Sequence, residues 1–140
     1  MLDVKRLGPE DEALAGEVAG TFYDVDGINA ALLADDRNYL LAGYMDGALA
    51  GFLVAYELGR LERGEPMTYL HRLDVLPCYR RRGVGRALVE KLKELARERG
   101  SFKMFVITSQ ANDAAMALYG ITGGRVIPEA DVVFEYRPDD

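Results

Sequence analysis

The sequence predicts an α/β (α+β) fold built on one mixed, twisted sheet, and three observations carry that prediction. Val84, Ala87, Leu88, Lys91, Leu92, Leu95 and Ala96 fall at helical spacing between two apolar strand runs, Met67 to Val75 and Phe102 to Thr108. A helix of that length crosses over between parallel strands. Asp46-Gly47 sits between the strand-like runs Tyr39 to Met45 and Ala48 to Leu58, and both positions of such a two-residue turn need positive φ. That pair is therefore antiparallel. Finally, short elements and turn residues alternate through all 140 residues without an internal repeat or a low-complexity segment. This length suits one domain, 1–140, with one core.

Taken in order, Leu2 to Leu7 is a short strand, and Pro9 suits the first turn of a helix running through Leu14 and Val18 to about Gly20. Thr21 to Asp26 has no clear period; its Tyr23 and carboxylates suit a wall of a substrate site. A brief helix around Ile28 to Leu33 precedes the hairpin. Gly59 to Pro66 is a polar loop feeding the strand at 67–75, and the long helix stops at Gly100. Asn112 or Asp113 can cap a short helix through Ala115, Met116, Leu118 and Tyr119, which Gly120, Gly123 and Gly124 then break. Arg125 to Ile127 and Val132 to Arg137 have the pattern of a closing hairpin.

The segment Leu73-Asp74-Val75-Leu76-Pro77-Cys78-Tyr79-Arg80-Arg81-Arg82-Gly83-Val84-Gly85-Arg86 joins a strand to the long helix. A helix start leaves backbone N–H groups without partners and carries partial positive charge, and Gly83 and Gly85 let an anion approach closely. The arginines add fixed charge. This is not the dinucleotide fingerprint, whose third glycine would fall at Leu88, nor a Walker loop, since no Gly-Lys-Ser/Thr follows.

Arg80-x-x-Gly83-x-Gly85, after a strand ending Leu73-Asp74-Val75, resembles the acetyl-coenzyme A signature of the GNAT superfamily of N-acetyltransferases. The element order resembles the same fold across essentially the whole chain. The resemblance implies a mixed sheet of about six to seven strands splayed after the fourth, with about four helices. It implies acetyl-CoA as cosubstrate, held by Leu73, Asp74, Val75, Arg80, Arg81, Arg82, Gly83, Val84, Gly85 and Arg86, together with Asn112 and Ala115 of the later helix. The end of the fourth strand would pair with the pantetheine arm, and a backbone amide there would polarise the thioester oxygen.

Asn112-x-x-Ala115-x-x-x-Tyr119 matches the family pattern that places a tyrosine near the coenzyme sulfur, so Tyr119 is the expected general acid, against the alternative of a helix core residue. For the base, strand alternation without a bulge puts Tyr69, His71 and Leu73 on one face and Leu70, Arg72 and Asp74 on the other. The family's frequent glutamate position falls at Tyr69. His71, the only histidine, is either a base acting through water or a core residue, and deprotonation by solvent is the third possibility.

A narrower resemblance, to the type I aminoglycoside 3-N-acetyltransferases, rests on Ala55-Tyr56-Glu57-Leu58, Leu61-Glu62 and Asn112-Asp113-Ala114-Ala115-Met116-Ala117-Leu118-Tyr119. It implies inactivation of gentamicin-like antibiotics. The chain departs from it at Arg72, where an aspartate is frequent, and at Ala114, where a proline is usual.

A net charge of −6 and a pI near 4.9 argue against nucleic acid and suit a cationic small-molecule amine. Candidate acceptor contacts are Asp113, Glu129, Asp131, Tyr69 and Tyr23, with further carboxylates at Asp24, Asp26, Asp35, Asp36, Glu57 and Glu62. A protein or peptide amine is the alternative acceptor, and a coenzyme A-binding sensor without catalysis the alternative class. No apolar run has membrane-spanning length and no signal peptide is evident, so a cytoplasmic protein is expected. No metal is expected, because Cys78 and His71 stand without a cluster, and a nucleophilic role for Cys78 is not expected either. Pairing as a homodimer is left open.

Overall fold

The computed structural model describes residues 1–127 and 132–138. In chain order these form β1 (Leu2–Arg6), a 3₁₀ turn (Pro9–Asp11), α1 (Glu12–Phe22), α2 (Ala30–Ala34), β2 (Asn38–Met45), β3 (Ala48–Leu58), β4 (Met67–Val75), a second 3₁₀ turn (Pro77–Tyr79), α3 (Val84–Glu98), β5 (Lys103–Val106) and α4 (Asp113–Ile121). The five strands lie in sequence order; β1 through β4 pair antiparallel, and β4 pairs parallel with β5. The sheet is mixed, as the crossover and the hairpin require.

Local chemistry accounts for the element ends. At the β2–β3 turn Asp46 and Gly47 hold φ of 50° and 85°, and the Asp46 carboxylate pairs with the Met1 amine. Before α1, Gly8 N–H donates to Asp11 Oδ2 at 2.9 Å, and the same carboxylate takes an ion pair from Lys5 on β1 at 2.9 Å. α1 then runs to Phe22, so the irregular stretch expected from Thr21 begins two residues later.

Each sheet face carries its own core. On one face the buried stripe of α3, Val84, Leu88, Val89 and Leu92, meets Tyr39, Leu41, Leu53, Ala55 and Leu70. On the other, Ala15 and Val18 of α1 and Leu33 of α2 meet Leu40, Ala42, Phe52 and Val54. Helix spacing on α3 and the continuous apolar runs of β2 and β3, covered on both faces, generate these layers directly.

The strand count is lower than the sequence predicts. Arg125 to Ile127 and Val132 to Arg137 lie in no strand, and the expected hairpin is absent among the described residues. The apolar pattern there is not matched by burial: Val132, Val133, Phe134 and Tyr136 stand 74 to 89% exposed. A strand pattern without a sheet face to cover is not held by packing.

Candidate active site

β4 is the strand around which the site forms. Opposite β3, Val54 pairs with Arg72 and Ala55 with Leu70, which leaves His71 as an extra residue, a β-bulge. The bulge resets side-chain alternation. Leu70 and Leu73 both pack toward α3, whereas Tyr69, paired with Tyr56, and Arg72, paired with Val54, share the face covered by α1 and α2. This corrects the unbulged alternation, which put Tyr69 and Leu73 together and Arg72 opposite. His71 is exposed, not a core residue, and its Nδ1 lies 3.2 Å from the Tyr69 hydroxyl.

The bulge coincides with the parting of the strands. β4 pairs with β5 only from Met67 opposite Lys103 to Leu70 opposite Val106, so His71 to Val75 have no strand beside them on that side among the described residues. At the open end, Val75 N–H donates to Asp74 Oδ1 at 2.8 Å, and Arg80 Nε donates to the Val75 carbonyl at 3.1 Å. Asp74 and Arg80 thus tie the loop back onto the strand.

The loop then presents the start of α3. Gly83 is its N-cap, in left-handed conformation at φ 84°, and no side chain caps the helix. A Cβ on Gly83 would meet nothing within 4 Å, so the space in front of the first turn is open. Arg81, itself at φ 64°, Arg82 and Arg86 are exposed and pair with no carboxylate among the described residues. Unpartnered helix amides, an αL glycine and three free cations fit a diphosphate. Gly85 does something else: a Cβ there would stand 3.2 Å from Leu118 Cδ2, so its absence admits α4 against α3.

α4 is built to hold Tyr119. Asn112 is its N-cap, its Oδ1 accepting from Ala115 N at 3.0 Å. At the other end Gly124 N–H donates to the Tyr119 carbonyl at 2.8 Å and Gly123, at φ 95°, donates to the Gly120 carbonyl at 3.2 Å. This double bond pattern is a Schellman motif. The glycine-rich sequence therefore closes the helix after Tyr119, at Ile121, and Gly120 does not break it. Lys93 of α3 adds a bond to the Thr122 carbonyl at 2.8 Å. Tyr119 is half-buried against the α3 core, and burial raises its phenol above the usual value of 10.0. It stays a proton donor.

Several carboxylates expected near the acceptor already have partners. Glu57 is pinned by Arg99 at 2.8 Å and accepts from the Tyr39 hydroxyl at 3.2 Å; the Arg99 guanidinium holds its carboxyl below the ordinary range. Asp36 also faces Arg99 at 3.7 Å, Asp35 pairs with Arg37 at 2.9 Å, and Glu62 with Arg60 at 2.8 Å. Three arginines thus engage these four carboxylates, Arg99 being shared by Glu57 and Asp36. Asp24, Asp26 and Asp113 are exposed and pair with no cation among the described residues. Glu129 and Asp131 lie outside the described residues.

An apolar cavity of about 300 Å³ lies between α1, α2, β2 and β3, walled by Ala15, Val18, Ile28, Leu32, Val54 and Tyr56 among others. Tyr23, 42% exposed, also lines it. The Arg72 guanidinium lies 4.2 Å from the Tyr23 ring centroid and donates to the Phe22 carbonyl at 3.3 Å, closing the last turn of α1. Tyr56 stands 5.7 Å, ring to ring, from His71. No local pattern in the sequence places Arg72 over Tyr23, because its face depends on the bulge.

An open strand edge running into an arginine-flanked helix N-terminus, with a half-buried tyrosine on α4, is an arrangement that suits an acyl-transfer fold. The chain belongs to the acetyltransferase (GNAT) family, whose model matches residues 10–123. It is 34% identical to an aminoglycoside acetyltransferase from an uncultured soil metagenomic sample, covering 98% of each chain at a TM-score of 0.85. It is 37% identical over 92 residues to the N-alpha-acetyltransferase RimI of Mycobacterium tuberculosis (strain ATCC 25618 / H37Rv), 65% of this chain and 54% of that protein. The chain thus spans about half the length of this relative. The fold is shared with the aminoglycoside N-acetyltransferase AAC(6')-Iy in its complex with CoA, at 20% identity and a TM-score of 0.75 over 98% of this chain and 94% of that one.

Proposed function

We propose that this chain transfers an acetyl group from acetyl-CoA to an amine. The observation that carries the reading is the uncapped α3 N-terminus with Gly83 in the left-handed region, open in front and flanked by Arg81, Arg82 and Arg86. Acetyl-CoA supplies an acetyl thioester whose carbon accepts the amine and whose sulfur departs as thiolate. The Gly83–Arg86 amides and the three arginines hold the diphosphate; the unpaired edge from His71 to Val75 lies beside the pantetheine arm. Tyr119 then gives its phenolic proton to the departing sulfur and regains one from water. As the N–C bond forms and the C–S bond breaks, the amine proton leaves to water, with His71 and Tyr69 at the bulge as the route.

For the acceptor, the 3-amino group of an aminoglycoside is supported by the Asn112–Tyr119 segment and by the metagenomic acetyltransferase at 34% identity. Asp24, Asp26 and Asp113 are the described carboxylates free to meet it, with Glu129 and Asp131 as further candidates. An α-amine, as on a peptide, is the second reading, favoured by the 37% identity to an N-alpha-acetyltransferase and by the apolar cavity beside His71. The test is thiol release from acetyl-CoA with aminoglycosides, polyamines, amino acids and short peptides. Release that depends on an amine supports the reading. Binding of coenzyme A without release to any amine would make the protein a coenzyme-binding module instead.

A further inference from the structure

We infer that the acceptor site is built for an α-amino acid with an apolar side chain, its carboxylate on Arg72 and its side chain in the cavity beneath Tyr23 and Tyr56. The inference rests on the acetyltransferase reading and selects among its acceptors.

Size is the first argument. At about 300 Å³ the cavity is at the lower end of the range for small-molecule sites, about 300 to 1,000 Å³, and suits one side chain better than a multi-ring aminoglycoside. Its walls are the second. Apart from Asn29 and the hydroxyls of Tyr23 and Tyr56, the lining is aliphatic, aromatic or glycine, with no carboxylate among the described residues to meet an ammonium group. Burial also raises the Tyr56 phenol, so that wall stays uncharged. Lining of this kind is stabilised by burying hydrocarbon and would penalise a polycation.

Charge is the third. Arg72 shares a sheet face with Val54 and Tyr69, and Val54 is itself a wall of the cavity. Its guanidinium is spread over the Tyr23 ring, makes one hydrogen bond, to the Phe22 carbonyl, and has no carboxylate partner among the described residues. Four of the five N–H donors of the fork are left over, in the geometry that suits a carboxylate. Nearby Asp74 is taken by Val75 N–H and Arg80. Position completes the argument. Tyr56 joins the cavity to His71, where β4 and β5 part, so an amino acid anchored by Arg72 and the cavity has its α-amine toward the open edge.

The experiment compares L-phenylalanine and L-leucine with their amides, with glycine, with a gentamicin-like aminoglycoside and with a short peptide, by thiol release and mass of the product. Wild-type protein is expected to acetylate the two apolar acids, with KM for each amide higher by about tenfold or more, the scale of one hydrogen bond to a charged group. Arg72→Gln should raise KM for the acids and leave that of the amides nearly unchanged. A purely structural role on α1 would move both alike. Ala19→Phe, on the cavity wall, should raise KM for L-phenylalanine far more than for glycine, with thermal melting as the check on folding. Acids and amides used equally, equal effects of Arg72→Gln on both, or transfer confined to aminoglycosides or peptides would overturn the inference while the acetyltransferase reading stands. Absence of both coenzyme binding and transfer would overturn the two together.

Discussion

Gly85 at the start of α3 and Leu118 on α4 are in near-contact: a Cβ added to the glycine would stand 3.2 Å from Leu118 Cδ2 and 3.8 Å from Leu73 Cδ2 of β4. The glycine loop before α3, the open strand end and the helix of Tyr119 thus converge where only a hydrogen atom fits. Gly85→Leu is expected to displace α4 and lower kcat by more than it weakens coenzyme binding, because Tyr119 is the neighbour of Leu118. Calorimetry and steady-state rates on the same variant check this; loss of coenzyme affinity with unchanged turnover at saturation would refute it.

Tyr119→Phe should lower turnover by about 10²- to 10⁴-fold with little change in coenzyme affinity, the usual range for a positioned acid. The raised phenol predicts no alkaline limb from this group below its ordinary value of 10.0. Near-normal turnover in the variant would show that the thiolate takes its proton from water.

The Glu57–Arg99 pair predicts a stability effect in acid. Because the Glu57 carboxyl is held below its ordinary 4.5, first by the hydrogen bonds from Arg99, it contributes stability that is present above that value. That contribution is lost as pH falls below 4.5 through the folded value. Melting curves of Glu57→Gln should show lower stability near neutrality and a smaller further loss below pH 4.5 than wild type. Parallel curves would contradict the assignment.

Leu92 is fully buried between α3 and the sheet, so Leu92→Ala should cost about 2 to 5 kcal/mol in denaturant unfolding. Arg81→Ala should leave stability nearly unchanged, since its side chain is exposed and unpaired among the described residues.

Much of this architecture was legible in the sequence because it rests on local periodicity. The α3 stripe, the Asp46-Gly47 turn and the glycine loop each fix structure within a few residues. The His71 bulge is a different matter. One extra residue on β4 is set by pairing with β3, a long-range relation that no local pattern records, and it put Arg72 and Tyr69, expected on opposite faces, on the same one. The same holds for charge. Glu57 and Arg99 are 42 residues apart, so composition showed acid but not that the acid was spent on an internal pair. At α4, glycines that read as breakers form a Schellman closure, because their number and spacing put φ 95° at Gly123 where the helix needs it. Val132 to Tyr136 show the converse, a strand pattern left without a face to cover.

The most direct test of the central claim is calorimetric titration of the protein with acetyl-CoA, wild type beside Gly83→Val. Wild type is predicted to bind in the micromolar range and the variant to lose that binding while melting as a folded protein, since a branched side chain at φ 84° fills the open space before the α3 amides. Undiminished affinity in a folded Gly83→Val, or no binding by the wild type, would contradict the account.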